Sequence, residues 1–437
     1  MTDVSAHIYS IRTAPRLNLL RPFEFLLAGV ILFLVSQGLL GPLLADSQHS
    51  DGAGILRVMW LPVYAITLLW MMITPMRTIG VLLRTPIILA LSVLCLASFL
   101  WSVDSGLSQR RGFALFMTTL FGFLLATRFN WRELITLFAV VFVVLGIMSA
   151  VMSLAFPAMA VHQDIHVGAW KGIWWEKNTL GAMMAFGTTA ALAASVCQPR
   201  HKMIWWGLAA FQAGLVLMST SKTALLALLL ALAGIAAIHL LRRGFGFAAL
   251  ILIGGGLMAF IAAMVLGIAP VAVLEALGRD PTLTGRTDIW IILAEQVEAR
   301  PWTGYGYGAF WDGVYGPAFW VRQRTQWPVP TAHNGWLEIA LAIGLPGAIL
   351  MAVSLLLSIF RAAGRLFRGP EVFWALIFLV LVALISISES NLLQRNAITW
   401  VLFVATAARL AMPRRYDEIS ERYASVTGKT SAPVSRM

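Results

Sequence analysis

Four short stretches of this chain carry side chains able to do chemistry on an anionic substrate: WEKN around Lys177, STSKT around Lys222, TGRTDIW around Arg286 and TAHNGWLE around His333. Lys222 stands in a hairpin of only Ser219 to Thr223 between two apolar runs. An ammonium there either snorkels to lipid headgroups or, with the neighbouring hydroxyls, holds an anion at the membrane surface. Arg286 precedes Thr287 and Asp288 and the amphipathic run IWIILAEQVEAR. With Thr287 as N-cap and Asp288 in the first turn, a guanidinium beside a helix N-terminus makes an anion site with bidentate geometry for phosphate. The competing reading pairs Arg286 with Asp288 or Asp280 on the surface. His333 follows the turn-forming WPVPTA; Asn334 and Glu338, four residues apart, share one helical face. Near two cations an imidazole can serve as general base for a hydroxyl; otherwise it is an interfacial residue.

Other patterns are less specific. His162, Asp164 and His166 alternate in HQDIH, a loop spacing that defines no metal site. GYGYGAFW lacks the preceding strand and the following Lys-Ser/Thr of a phosphate loop, so Gly304, Gly306 and Gly308 read as loop flexibility with aromatic packing. No DxD pair occurs in an outer loop, leaving no evident site for a metal-held donor, and no metal or cofactor is expected. In SESNLLQRN, Glu389 and Arg395 read as a structural ion pair capping a re-entrant turn.

These residues must be positioned by membrane-spanning helices. Of 437 residues, 59% are apolar and only 12% charged, and the mean hydropathy is +0.81. Ordinary soluble chains hold about 45–50% apolar and about 25% charged residues, which excludes a soluble enzyme, a coiled coil and a disordered chain. Cys95 and Cys197 both lie in apolar runs, so neither a disulfide framework nor a zinc-type cluster is available. Apolar runs near the roughly 20 residues that a span requires fall at 23–44, 55–74, 85–101, 113–127, 133–156, 179–197, 203–220, 223–241, 246–268, 334–360, 372–388 and 396–411. Their continuity argues against an alternating β-barrel pattern. The fold class expected is all-α, a polytopic helical bundle of about twelve spans with both termini cytoplasmic. The first span reads as an uncleaved signal anchor.

With that topology the inner segments hold 20 basic and 7 acidic residues and the outer ones 12 and 13, as the positive-inside rule requires. The formal charge of +12 is therefore an orientation signal, and no nucleic-acid partner is expected. The domain reading is a cytoplasmic segment 1–22, a bundle 23–268 with an outer loop 157–178, a large outer loop 269–332 containing the amphipathic helix, spans 333–411, and a tail 412–437. Loops as long as the two outer ones are usually functional. The larger holds Trp302, Trp311, Trp320 and Trp327, too aromatic for a spacer.

Taken in order, WKGIWWEKNTLG, TSKTALLAL, TGRTDIW with RPWTGYGYGAFW, and AHNGWLEIALAIGLPG resemble the O-antigen ligase/polymerase family of bacterial membrane glycosyltransferases, most strongly from 168 to 346. The EKN, SKT and GYGYGAFW forms look most like the branch that polymerises exopolysaccharide repeat units. The resemblance implies a multi-pass protein of the bacterial inner membrane with a periplasmic active site. It implies an undecaprenyl-pyrophosphate-linked glycan as donor and a polysaccharide acceptor, with the bilayer and other polysaccharide-assembly membrane proteins as partners. It further implies His333 and Arg286 as catalytic residues, and Lys222, Arg286, Lys177, Asn334 and Glu338 as substrate-binding. Ligases of the family generally carry Arg in the short hairpin; Lys222 here is a point charge without the guanidinium fork. The expected reaction is a metal-independent, inverting glycosyl transfer. Its alternatives are transfer of a finished glycan to a lipid A core sugar and, in another class, a transporter of an anionic or lipid substrate. A transporter would place its charges near the bilayer midplane.

Overall fold

The computed structural model describes residues 20–39, 42, 54–73, 75–164, 166–244, 246–247, 254, 286–313, 315–326, 328–366 and 371–412. Among the described residues the chain is helical, and its one isolated β-bridge joins Val161 to Trp170. The helices are α1 (Leu20–Val35), α2 (Gly54–Met71), α3 (Pro75–Leu82), α4 (Pro86–Ala97), α5 (Ser105–Arg128), α6 (Trp131–Ala155), α7 (Lys177–Cys197), α8 (Lys202–Met218), α9 (Lys222–Leu241), α10 (Arg286–Ala299), α11 (Phe319–Thr325), α12 (Gly335–Ala363), α13 (Glu371–Ile385) and α14 (Ile398–Ala411). By length and composition four of them, α6, α7, α9 and α12, can cross a membrane. The α2–α3 pair, bent by 102°, adds a fifth if it is one broken span. The runs expected at 85–101, 372–388 and 396–411 form shorter apolar helices. The expected ninth span and the segments 1–19, 269–285 and 413–437 fall outside the described residues but for 246, 247 and 254.

Helix starts follow local chemistry. The Asp104 carboxylate accepts from Leu107 N at α5. Asn130 and Glu133 form a reciprocal capping box at α6, and Ser221 accepts from Ala224 N at α9. Each satisfies an N–H that the helix itself cannot, worth about 1 kcal/mol. The helix α7 packs against α6, α8, α9 and α13 and is the most enclosed of the candidate spans, whereas α9 leaves most of its surface outward, as a lipid-facing helix would. At the opposite end of the bundle Arg21 pairs with Glu24 at 2.8 Å and Glu133 at 2.6 Å, and Arg128 also pairs with Glu24. This network ties α1 to the α5–α6 turn.

The segment between α9 and α12 is a folded cap where it is described. One face of α10 buries Ile289, Ile292, Leu293 and Val297 in a second apolar core with Tyr305, Phe310, Val321, Val329 and Leu341. A helix is thus present where the amphipathic run was expected, with Ile291 exposed on the side away from that core. It begins no later than Arg286, so Thr287 is its second described residue and not its N-cap as expected.

The cap is fastened where α12 breaks. Pro346 lacks an N–H for the carbonyl four residues back, and Ile343 and Gly344 leave helical geometry. The carbonyls of Leu341 and Ala342 instead accept from Tyr305 N at 2.7 Å and Gly306 N at 3.0 Å, while Leu345 N donates to Pro301 O at 2.7 Å. Gly344 has φ +74°, and a Cβ there would lie 2.5 Å from the Trp302 backbone. Gly306, φ +95°, would meet Ser102 Oγ at 2.1 Å. The glycine-rich stretch is therefore a tightly docked strap in left-handed backbone, which corrects the expectation of loop flexibility. Gly344→Ala should lower stability by about 1–3 kcal/mol, read as a reduced melting temperature in detergent; an unchanged melting temperature would contradict this docking.

Candidate functional site

Glu389, in the turn between α13 and α14, is the point at which three of the four sequence stretches meet, and the fourth, around Lys222, joins them through Asn178. Its carboxylate oxygen Oε1 accepts from Asn178 Nδ2 at 3.0 Å and lies 3.3 Å from Arg286 Nη2. Its Oε2 is 3.9 Å from His333 Nδ1. Asn178 Oδ1 in turn accepts from Ser221 Oγ at 2.8 Å, which fixes the start of α9 and so the Lys222 backbone. Arg286 also donates to Ser388 O, and Gly335 N donates to Ser386 O at 2.8 Å. The side chains of Glu389, Arg286 and His333 are 19%, 19% and 23% exposed. That is enclosed enough to strengthen their electrostatics and open enough for a ligand to reach them.

His333 itself has φ 47°, a left-handed residue just outside α12, in a conformation stored more often at functional sites than elsewhere. Asn334 follows as the N-cap, its Oδ1 accepting from Trp336 N and Leu337 N. Asn334 therefore caps α12 through its side-chain oxygen. Glu338 faces the same cavity as His333. Its carboxylate accepts from Trp311 Nε1 at 3.0 Å, Ala332 N at 2.7 Å and Ser390 Oγ at 3.4 Å. Glu338 therefore holds the cap and the α13–α14 turn on either side of His333.

A cavity of about 810 Å³ opens beside this cluster, with His333, Glu338, Glu389, Asn178 and Glu176 on its wall. Burial pushes the Glu176 carboxyl up; nearby His333 opposes the shift and Glu389 adds to it. Lys177 and Lys222 stand at the starts of α7 and α9, close enough to feel each other's charge, with Lys177 Nζ 3.4 Å from Thr220 Oγ1. Of the expected tryptophans, Trp311 lines the cavity, Trp302 and Trp320 are exposed, and Trp327 is outside the described residues. His162 contacts His166 and lies 3.9 Å from Glu176. Among the described residues no three His, Cys, Asp or Glu side chains are grouped to hold a metal ion.

Sequence reasoning missed Glu389 as the hub, having paired it with Arg395; the structure gives it Arg286, Asn178 and His333. The available signal was an acid in a short polar interruption between apolar runs, where an ionised group needs a partner or a function. A carboxylate facing one imidazole nitrogen orients the ring and fixes which nitrogen faces away from it. Glu389→Gln should thus cut turnover roughly tenfold to a hundredfold with KM changed much less; an unaltered kcat would remove Glu389 from the site.

The fold and this cluster define a class: a multi-pass helical membrane protein with a cavity lined by an imidazole and carboxylates, beside an arginine-bearing cluster. Residues 207–352 match the sequence family described as O-antigen ligase, a stretch that contains Lys222, Arg286, His333, Asn334 and Glu338 but neither Lys177 nor Glu389. The chain is also 31% identical over 267 residues to the exopolysaccharide production protein ExoQ of Rhizobium meliloti (strain 1021), covering 56% of this chain and 59% of that protein. The chain thus spans somewhat over half the length of the relative it matches. Together these findings support the O-antigen ligase/polymerase family for this chain.

Proposed function

We propose that the protein is a membrane glycosyltransferase that joins undecaprenyl-pyrophosphate-linked oligosaccharide units on the periplasmic side of the bacterial inner membrane, as an exopolysaccharide or O-antigen polymerase. The observation that carries this reading is the convergence of Asn178, Arg286 and His333, from three separate segments, on Glu389, with Ser221 of a fourth segment joined through Asn178. The likeness to an exopolysaccharide production protein favours the polymerase over the ligase. Both would use the same donor chemistry.

In this mechanism the donor pyrophosphate lies against Arg286, with Lys222 and Lys177 supplying long-range positive charge. A guanidinium carries five N–H donors, more than its contacts with Ser388 and Glu389 use. The acceptor hydroxyl oxygen attacks the anomeric carbon while the bond from that carbon to the pyrophosphate oxygen breaks. The electron pair leaves with the phosphate, whose growing charge the cations stabilise. The hydroxyl proton passes to His333, and Glu389 stabilises the imidazolium that results. A single displacement inverts the anomeric centre. The energy comes from the glycosyl–pyrophosphate bond.

The test supplies purified protein with a polyprenyl-pyrophosphate oligosaccharide as the sole substrate, in EDTA, and follows chain length on a gel. A ladder of extended products is expected. Transfer only after addition of lipid A core would make it a ligase, and uptake into vesicles without new bonds a transporter.

A further inference from the structure

The corner between α2 and α3 lies at the end of the bundle away from the cavity. Tyr64 of α2 meets Phe113 of α5 edge to face at 5.9 Å and donates to Asn396 Oδ1 at 2.9 Å, and all three line the cavity. Trp70, near the end of α2, meets Phe129 edge to face at 6.4 Å. Phe129 directly follows α5 and carries the Arg21 guanidinium over its ring at 4.7 Å, so it belongs with the Arg21–Glu24–Glu133 network at the far end. There the chain bends by 102°. Pro75, whose missing N–H is no loss in a first helical turn, opens α3. A leg that runs from the cavity to the far end thus continues in a foot laid across that end.

The foot has three unlike sides. Thr78, Val81 and Thr85 are buried, and α3 packs against α5 and α14. Leu83 N donates to Ile79 O at 3.0 Å, so the helical turn carries on past Leu82. Met76, Ile79 and Leu83 therefore recur on one side, opposite the buried residues, and all three are exposed. Arg77 and Arg84, seven positions apart and both exposed, share the side between the other two. Arg84 Nη1 would lie 3.7 Å from a Cβ on Gly80, so this guanidinium reaches back along α3 toward Arg77. Apolar residues on one side and cations on the next are what a helix lying in a headgroup layer requires: the first enter the acyl chains while the second meet phosphate. A guanidinium fork matches phosphate geometry, and a net negative headgroup adds long-range attraction that a zwitterionic one lacks.

We propose that α3 is an in-plane foot that binds anionic phospholipid in the leaflet away from the cavity, with Met76, Ile79 and Leu83 among the acyl chains and Arg77 and Arg84 on the headgroup phosphates. This inference is independent of the reaction proposed for the cavity. Full-length protein in a non-ionic detergent would be titrated with short-chain phosphatidylglycerol and, separately, with chain-matched phosphatidylcholine, and bound lipid counted by native mass spectrometry. Wild type should prefer phosphatidylglycerol. Arg77→Gln and Arg84→Gln should each weaken its binding roughly fivefold, and the double variant roughly twentyfold, while phosphatidylcholine changes much less. The melting temperature should hold, since both side chains are exposed. Ile79→Asn with Leu83→Asn should weaken both lipids.

A control separates this foot from the general positive charge of its end of the bundle. Gln198 Nε2 donates to Thr136 Oγ1 at 2.8 Å, near the start of α6, which puts the exposed Arg200 and Lys202 at that same end. Arg200→Gln with Lys202→Gln should leave the phosphatidylglycerol preference in place. Equal binding of the two lipids by wild type, a preference unchanged in the Arg77–Arg84 double variant, or one lost equally in the control would overturn the inference. So would a dimer in the same spectra that the Ile79–Leu83 variant dissolves, since the apolar side would then belong to a second copy of the chain.

Discussion

Alanine in place of His333 is expected to lower glycan transfer by roughly 10²–10⁴-fold, the range for loss of a positioned general base. The imidazole faces the cavity, and an imidazole nitrogen can accept a hydroxyl proton. Its Nδ1 side is directed to Glu389 at 3.9 Å, and in the proposed mechanism Nε2 is the nitrogen that meets the acceptor hydroxyl. Truncation creates no buried orphan, because His333 stands outside the helix and its backbone N is satisfied by Thr331 Oγ1 at 3.3 Å. Its positive φ of 47° is strained in alanine as in histidine, so stability should change little. Single-turnover extension with preloaded donor in proteoliposomes would measure the effect. A rate within about threefold of wild type would exclude proton transfer by His333.

Arg286→Ala is expected to cost about 10²–10³-fold in turnover, comparable to removing one preorganised donor from a developing anion. Here a second effect must be separated from the first. The same substitution strips Glu389 of its guanidinium partner at 3.3 Å and leaves a partly enclosed carboxylate less well compensated, which is destabilising by itself. The paired variant Arg286→Ala with Glu389→Gln relieves that charge. It should recover expression and melting temperature while remaining as inactive as Arg286→Ala. Arg286→Lys should keep donor affinity within about tenfold but recover little turnover, since an ammonium supplies charge without the fork. Full recovery of transfer in the paired variant would mean that Arg286 serves only to neutralise Glu389.

Much of this was legible before any coordinates. Continuous apolar runs forced helices, because a backbone in lipid must satisfy its own hydrogen bonds. The amphipathic spacing after Arg286 was local enough to fix α10. The capping of α9 by Ser221 and of α6 by Asn130 and Glu133 is likewise written in neighbouring residues. Asn334 stands at the head of α12, where its oxygen accepts from two backbone N–H groups, a capping role that the sequence pattern did not assign to it.

What the sequence determined by itself was a helical membrane class and four short stretches with ionisable side chains between its apolar runs. These follow from composition and from interactions a few residues apart. Tertiary structure decided what those stretches do to one another. Glu389 meets Asn178 across 211 positions and Arg286 across 103, and the strap at Gly306 docks on carbonyls freed by a break in α12. Separations of that size leave no periodic trace in a sequence, since the contact is set by how helices pack and not by the spacing along any one of them.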